Sequence, residues 1–412
     1  MSGAGDRLRA LRAVWSRPWS TTRVVSLAIF FSSLYFYLPV ISLFWRARGL
    51  SLAEISILQS VFIGIGLVFD LPTGALADLL GRRWALTAGL AFQIVSEFIF
   101  LFAHQFWAFV LAQVLGGMGA ALCSGSVIAL IYESLPEHDR RSLMQRAMGA
   151  IGAAMQLGSM IAYVIGGLLV ANLRMAQMVT AIQLTILCLV IAFGFSLFVT
   201  EPKRTESQAA RGSQLLLLIR SGLGLLRHNR DLRRIVLAYL LTNAFPWYLQ
   251  VLYQFYLLGA GVSGAWLGPA LAIGSVLALV GQRYAFLLEK YLGVRHAVLL
   301  ATALPGVLYL LMAASTHSAI SLVLFCLQWG AISVKEPLFA GYLNAHIPSE
   351  QRATVLSLVN TLKSVYIGAM GLPVGRIAEI SFPIVFVSMG VLVLAGALLL
   401  QIDEQHTEGD AE

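Results

Sequence analysis

Long apolar runs alternate with short polar segments along this chain, and no other feature of the sequence is as strong. Twelve runs are long enough to cross a bilayer as a helix, which takes about 20 residues. Six lie at 24–45, 54–77, 84–104, 106–131, 144–171 and 176–199, and six more at 232–259, 265–288, 294–315, 318–345, 353–379 and 382–401. Hydrocarbon leaves no partner for an unpaired backbone group, so the runs predict an all-α membrane protein with twelve transmembrane helices.

The polar segments predict the division of the chain. The predicted parts are a cytoplasmic amino-terminal arm at 1–23, a six-helix bundle at 24–199, a cytoplasmic linker at 200–231, a second six-helix bundle at 232–401, and a cytoplasmic tail at 402–412. With the amino terminus inside, only four of the 28 Lys and Arg residues fall in outer loops, namely Arg46, Arg48, Arg174 and Arg376. This asymmetry predicts that both termini lie in the cytoplasm.

Composition excludes several other classes. The chain is 58% hydrophobic and 12% charged, with a mean hydropathy of +0.81, which excludes an ordinary soluble domain. The net charge of +8 comes from arginines spread over short loops, so it indicates membrane orientation and not nucleic-acid binding. Cys123, Cys188 and Cys326 lie far apart, and no metal-ligand spacing, nucleotide loop or G-x-S-x-G motif occurs. We therefore expect neither an enzyme nor a metal or other cofactor.

The run GALADLLGRR, between the second and third apolar runs, concentrates charge and glycine. Its notable residues are Gly74, Asp78, Gly81, Arg82 and Arg83. The run resembles the G-x-L-A-D-x-x-G-R-[RK] loop between helices 2 and 3 of major facilitator superfamily (MFS) transporters, and every fixed position is present. The resemblance implies the MFS fold, in which two six-helix bundles are related by pseudo-two-fold symmetry and transport solutes by alternating access.

An internal repeat agrees with that expectation. A shift of 212 residues superposes Gly49-Leu50-Ser51 on Gly261-Val262-Ser263, Gly81 on Gly293, Arg83 on Arg295, Pro136 on Pro348 and Arg140 on Arg352.

The charges of the motif loop, residues 74–83, predict a latch at the cytoplasmic face. Arg82 can hold Glu133 near the end of the fourth span, and Asp78 can face the positive end of the helix that starts near Arg352. Such contacts would form in one state of a transport cycle and break in the other. The alternative is that the cluster only fixes topology and folding.

Charged residues also occur inside the predicted spans. An acidic group in hydrocarbon is a candidate proton carrier, and the candidates here are Asp70, Glu97 and Glu336. Lys335 and Lys363 are candidates for binding the charge of an anionic solute. The alternative is that these groups pair with one another and hold helices in register.

Aromatic residues cluster on the first and seventh spans, which the resemblance places around a central cavity. Tyr35, Tyr37, Trp247 and Tyr248 are candidates for the cavity wall, where rings hold flat or cationic solutes. The alternative is that they face lipid or other helices. One departure from the family concerns the fifth span, where Ala162-Tyr163 replaces the glycine-proline pair of many antiporters.

The function predicted first is proton-coupled export of an amphipathic, drug-like solute by a secondary transporter, an antiporter of the cell inner membrane. We expect a monomer whose partners are a small-molecule substrate, protons and the lipid bilayer. The alternatives are a carrier of organic anions or metabolites, and a membrane assembly or sensor protein that transports nothing.

Overall fold

The computed structural model describes residues 21–136, 140–201, 230–243, 245–345 and 352–399, and these residues form helices and no β-strand. The helices are α1 (Thr21–Ser32), α2 (Ile41–Ala47), α3 (Leu52–Leu80), α4 (Arg82–Phe102), α5 (Phe106–Ser134), α6 (Arg140–Leu169), α7 (Met175–Ser196), α8 (Arg230–Asn243), α9 (Phe245–Gly259), α10 (Leu267–Ala314), α11 (Ser318–Ala345), α12 (Arg352–Ile380) and α13 (Phe382–Leu399).

The described helices cover all twelve predicted runs. Nine of them contain a segment long and apolar enough to cross a membrane. One of the nine, α10, has 48 residues and covers two predicted runs. At about 1.5 Å per residue it is more than twice as long as a bilayer core is thick, so it has the length for two crossings. Its φ of 75° at Gly293 separates the two runs. The first run comprises α1 and α2, and the seventh comprises α8 and α9.

The first span is interrupted between α1 and α2, which the apolar pattern does not predict. The hydroxyl groups of Ser32 and Ser33 both donate to the carbonyl oxygen of Ile29, at 3.1 and 2.7 Å. Such local bonds compete with the helix ladder at this end. The backbone N–H of Phe36, which lies outside any helix, donates to Thr185 Oγ1 at 3.0 Å. A side chain of α7 thus pairs one backbone group of the interruption.

Backbone geometry repeats at the interval seen in the sequence. The four glycines with positive φ in the described chain are Gly49, Gly81, Gly261 and Gly293, with φ of 93°, 103°, 82° and 75°. They form two pairs, each separated by 212 residues. Each pair marks the same kind of turn between successive helices, so the two halves of the chain share their backbone plan.

The first compact unit comprises residues 1–38 and 64–209. Its core includes Val24, Leu86, Leu130, Leu143 and Ala192, which come from five different helices. Close contact between α4 and α5 depends on two glycines, because a Cβ at Gly89 would lie 2.8 Å from the carbonyl oxygen of Gly119. Helices therefore meet at backbone distance in this unit.

The second compact unit comprises residues 39–63 and 210–412. A core of Tyr239, Ala297, Phe339 and Val355, among others, joins α8, α10, α11 and α12. The unit also includes α2, whose first N–H groups, those of Ser42 and Leu43, donate to Gln254 Oε1 at 3.0 and 3.2 Å. The predicted bundle boundaries and this grouping differ in where residues 39–63 belong.

Candidate functional site

Glu97 and Tyr37 form a buried polar pair inside the first unit. Tyr37 Oη donates a hydrogen bond of 2.7 Å to Glu97 Oε1, and both side chains are buried. The other carboxyl oxygen, Oε2, is buried and has no hydrogen-bond partner among the described residues. One oxygen of the carboxyl group is thus fixed, and the other is available to a proton or a ligand.

Aromatic rings surround this pair. The Tyr37 ring stacks on Phe100 with a centroid separation of 5.1 Å and meets Tyr35 edge-on at 5.9 Å. Phe100 in turn packs against Phe109. Within the described residues Glu97 makes no ion pair, so its surroundings contain apolar rings and phenol groups instead of a cation. A carboxyl group in such a place can gain or lose a proton far from bulk water.

The two residues of the pair are held by different kinds of backbone, a regular helix for Glu97 and an irregular stretch for Tyr37. Glu97 is carried by the regular helix α4, where the adjacent Ser96 Oγ donates to the carbonyl oxygen of Ala112 at 2.7 Å and ties α4 to α5. Tyr37 lies in the irregular stretch between α1 and α2. The interruption of the first span is therefore what brings the phenol group to the carboxyl group.

Within the motif loop, Gly81 lies between the end of α3 and the start of α4. Arg82 Nε donates to Glu133 Oε1 at 3.4 Å, the ion pair named from the sequence, and both side chains are partly buried. A single long bond of this kind contributes at most about 1 kcal/mol to stability.

Glu201 binds the backbone of the motif loop, a role that the sequence did not predict. Its Oε1 accepts the backbone N–H of Arg82 at 2.7 Å, and its Oε2 accepts that of Arg83 at 2.9 Å, so one carboxylate caps the start of α4. A Cβ at Gly81 would lie 2.9 Å from Glu201 Oε1. The signal available was an acidic residue directly after the sixth run, but its partners are more than 100 positions away in sequence.

Arg83 also bonds through its side chain to the segment that follows α7. Its Nη2 donates to the carbonyl oxygen of Leu197 at 2.8 Å, beyond the end of α7, and its guanidinium lies 5.1 Å from the Trp84 ring centroid.

The predicted residues Gly74 and Asp78, and the candidate proton carrier Asp70, belong to the helix α3. Their side-chain environments lie outside the described residues.

In the second unit, Lys335 bonds to Thr242, and no carboxylate of the described residues accepts a bond from it. Its Nζ donates to the carbonyl oxygen of Thr242 at 3.0 Å and to Thr242 Oγ1 at 2.9 Å, and the side chain is 3% exposed. Glu336, the next residue, is exposed. Lys363 Nζ lies 5.8 Å from the Tyr239 ring centroid, a cation–π contact on a partly buried side chain.

The two aromatic candidates of the seventh span have different environments. Tyr248 is fully buried, and its hydroxyl group contacts Ser60 Oγ at 3.1 Å and donates to the carbonyl oxygen of Ile367. Trp247 is 40% exposed. Of the two, only Trp247 is exposed.

The fold and the buried charges together indicate the class of this protein. Long apolar helices, a repeat of two halves and buried charges within the spans are the properties of a multi-pass membrane protein with a functional interior. The family model of the Major Facilitator Superfamily matches residues 23–372. The chain therefore belongs to that superfamily, and its class is that of the membrane transporters and not of the enzymes.

Individual proteins resemble parts or all of this chain. Quinolone resistance protein NorA of Staphylococcus aureus is 30% identical over 112 residues, which cover 27% of this chain and 29% of NorA. Inner membrane transport protein YajR of Escherichia coli K12 is 29% identical over 127 residues, covering 31% of this chain and 27% of YajR. These alignments span less than a third of each relative.

A solved structure matches over almost the full length. A mutant of the nucleoside transporter NupG superposes with a TM-score of 0.78 and 14% identity, covering 92% of this chain and 98% of NupG. At that identity the likeness concerns the fold alone. The solute of this chain must be argued from its own residues.

Proposed function

We propose that this protein is a secondary transporter that exports an amphipathic, drug-like organic solute by alternating access, in exchange for protons. The observation that carries the proposal is the Tyr37–Glu97 pair, a carboxyl group buried among aromatic rings with one oxygen unbonded within the described chain. Acidic groups inside the membrane are costly and mark proton relays or ligand sites.

Glu97 serves as the proton carrier in this mechanism. The hydrogen bond from Tyr37 holds Oε1, so the proton is exchanged at Oε2. The phenol of Tyr35 interacts with both members of the pair, and it supplies no positive charge near neutral pH. A proton on Glu97 therefore changes the net charge of the pair from −1 to 0 without a compensating ion. Asp70 and Glu336 stay as further candidates on sequence grounds.

The motif loop serves as the latch. Arg82, Glu133 and Glu201 join the start of α4 to the end of α5 and to the segment after α7. From this base Asp78 makes and breaks a contact with the other half of the chain during each cycle. Gly74 and Gly81 keep side-chain bulk out of the loop.

The solute class rests on the aromatic groups and on one relative. Tyr35 is partly exposed and Trp247 is exposed, so both have ring surface for a flat or cationic compound, whereas Tyr37 is buried and acts through Glu97. NorA, which the chain resembles over 27% of its length, is named for quinolone resistance. We further propose that the protein is a monomer of the cell inner membrane. Both termini are placed in the cytoplasm, because the Lys and Arg residues are concentrated in the loops on that side.

The proposal is tested in two stages. Expression in an efflux-deficient host identifies compounds to which the protein confers resistance, and the purified protein in proteoliposomes is then assayed for their flux with and without an imposed pH gradient. We expect flux that follows the gradient. Flux that ignores the gradient would remove the proton from the mechanism, and no flux for any compound would favour an assembly or sensor role. Flux restricted to organic anions would favour the metabolite carrier.

A further inference from the structure

Thr242 and Pro246 lie four residues apart in the segment formed by α8 and α9. In a helix the carbonyl group of residue i accepts the N–H of residue i+4, but a proline has no N–H to donate. The carbonyl oxygen of Thr242 therefore lacks its regular helical partner. In a buried position an unpaired carbonyl group is costly, so a replacement donor is needed.

Lys335 supplies that donor from α11. Its Nζ is 3.0 Å from the carbonyl oxygen of Thr242. The Thr242 hydroxyl group donates to the carbonyl oxygen of Ala238 at 2.9 Å and accepts a second bond of 2.9 Å from the same Nζ. One ammonium group thus bonds to both oxygens of Thr242 near the end of α8, four residues before Pro246.

Pairing with an acidic residue does not account for this lysine. Glu336 is adjacent in sequence, and neighbouring helical side chains point about 100° apart. Lys335 is buried whereas Glu336 is exposed, and no ion pair joins them in the described chain. Lys363 is the other charged neighbour, and it repels Lys335.

The internal repeat gives an independent observation. The positions 212 residues before Pro246 and Lys335 are Leu34 and Cys123. The first half of the chain has neither the proline nor the lysine at these places, and the second half has both. The proline and the lysine are therefore both features of the second half.

We infer that Lys335 is a positioning residue whose ammonium group replaces the backbone N–H that Pro246 lacks, and so fixes the helix that carries Trp247 and Tyr248. It is not a ligand of the solute. The inference concerns the transport proposed above, because Trp247 is a candidate for the solute-binding wall. The bond itself is a property of the fold and can be tested without transport.

The test is a double-mutant cycle of Lys335→Met and Pro246→Ala, read by hydrogen exchange of the backbone amides at 245–252. Lys335→Met alone should accelerate exchange there by about tenfold, the effect of losing one buried hydrogen bond. Pro246→Ala returns an N–H to the Thr242 carbonyl group, so the double variant should regain most of the protection. Lys290→Met, which changes an exposed lysine of α10, is the control and should leave exchange at these amides unchanged.

Transport kinetics give the second measurement. A positioning role predicts that Lys335→Met lowers the maximal rate, that half-saturation changes less, and that Pro246→Ala restores the rate. If Lys335→Met does not fold, Lys335→Gln, which keeps a donor, replaces it in the cycle. Additive effects of the two substitutions on exchange would overturn the inference. Unchanged exchange with weaker binding of anionic solutes would also overturn it, and would assign Lys335 to the solute. Absence of transport in every variant would reject only the proposed function.

Discussion

The two halves of the chain share a backbone plan but bury opposite charges in different ways. In the first unit Glu97 is held by one side-chain hydrogen bond and keeps an oxygen unbonded among the described residues. In the second, Lys335 makes two bonds to a single threonine. The first arrangement leaves a titratable group available for exchange, whereas the second uses the charge to complete a helix. A buried charge is therefore assigned a role by its bonds and not by its presence in a span.

The internal repeat shows that each of these two charges occurs in one half of the chain only. The residue 212 positions after Glu97 is Tyr309, and the residue 212 positions before Lys335 is Cys123. Neither charge has a charged equivalent in the other half. Duplication thus preserved turns such as those at Gly81 and Gly293, and the chemistry diverged within the spans.

The largest effect is expected at Glu97. Glu97→Gln keeps the size of the side chain but cannot carry a proton at neutral pH, so flux driven by the pH gradient should fall by at least about tenfold, which is about 1.4 kcal/mol. Proteoliposome flux at a fixed gradient measures this. The matched control is Tyr309→Phe, at the equivalent position of the other half, which should retain gradient-driven flux. A Glu97→Gln variant as active as the control would show that the carboxyl group is only structural.

The next effect concerns helix packing in the first unit. A Cβ at Gly166 would overlap the carbonyl oxygen of Phe36, whereas Gly152 has no atom within 4 Å. Gly166→Ala should therefore lower the free energy of unfolding by about 1–3 kcal/mol, as overpacking does, and Gly152→Ala should not. At the equivalent of Gly166 the second half has Ala378, so this close approach belongs to one half. Thermal unfolding in detergent measures the difference, and equal shifts for both variants would contradict the account.

Gly81 and Gly293 test the equivalent turns directly. Both have positive φ, so Gly→Ala at either place costs about 1 kcal/mol. Only the Cβ at Gly81 would also meet a side chain, that of Glu201, and nothing lies within 4 Å at Gly293. We expect Gly81→Ala to have the lower unfolding temperature of the two. The extra cost should disappear in the background Glu201→Ala, and a cost that persists there would exclude Glu201 as its cause.

The smallest effects separate the two acids around α4. Glu201→Ala removes a helix cap and should destabilise the protein by about 1 kcal/mol. Glu133→Ala removes one long, partly exposed ion pair and should cost less than about 0.5 kcal/mol. Chemical unfolding monitored by tryptophan fluorescence ranks them, and the reverse order would mean that Arg82 depends more on Glu133 than the geometry indicates.

Much of the fold was predictable because its determinants are local or periodic. Apolar runs of spanning length give the helices, and the 212-residue repeat gives the two halves. The Arg82–Glu133 pair was also accessible, since a motif at one helix end limits the partners within reach. The family model confirms the predicted superfamily.

The rest depends on contacts that no local pattern encodes. The interruption that brings Tyr37 to Glu97 occurs inside an unbroken apolar run. Glu201 finds its partners over more than 100 residues, and Lys335 finds Thr242 over 93. Hydropathy places such residues in or near a span but does not say whether a neighbouring helix offers a carboxylate, a ring or a carbonyl oxygen.

The central claim is that Glu97 exchanges a proton during each transport cycle. The most direct measurement is the internal pH of proteoliposomes, reported by a trapped dye, after addition of a transported solute without any imposed gradient. Wild-type protein should move protons against the solute, and Glu97→Gln should move solute without protons or move neither. Solute-driven proton movement of wild-type size in Glu97→Gln would contradict the claim.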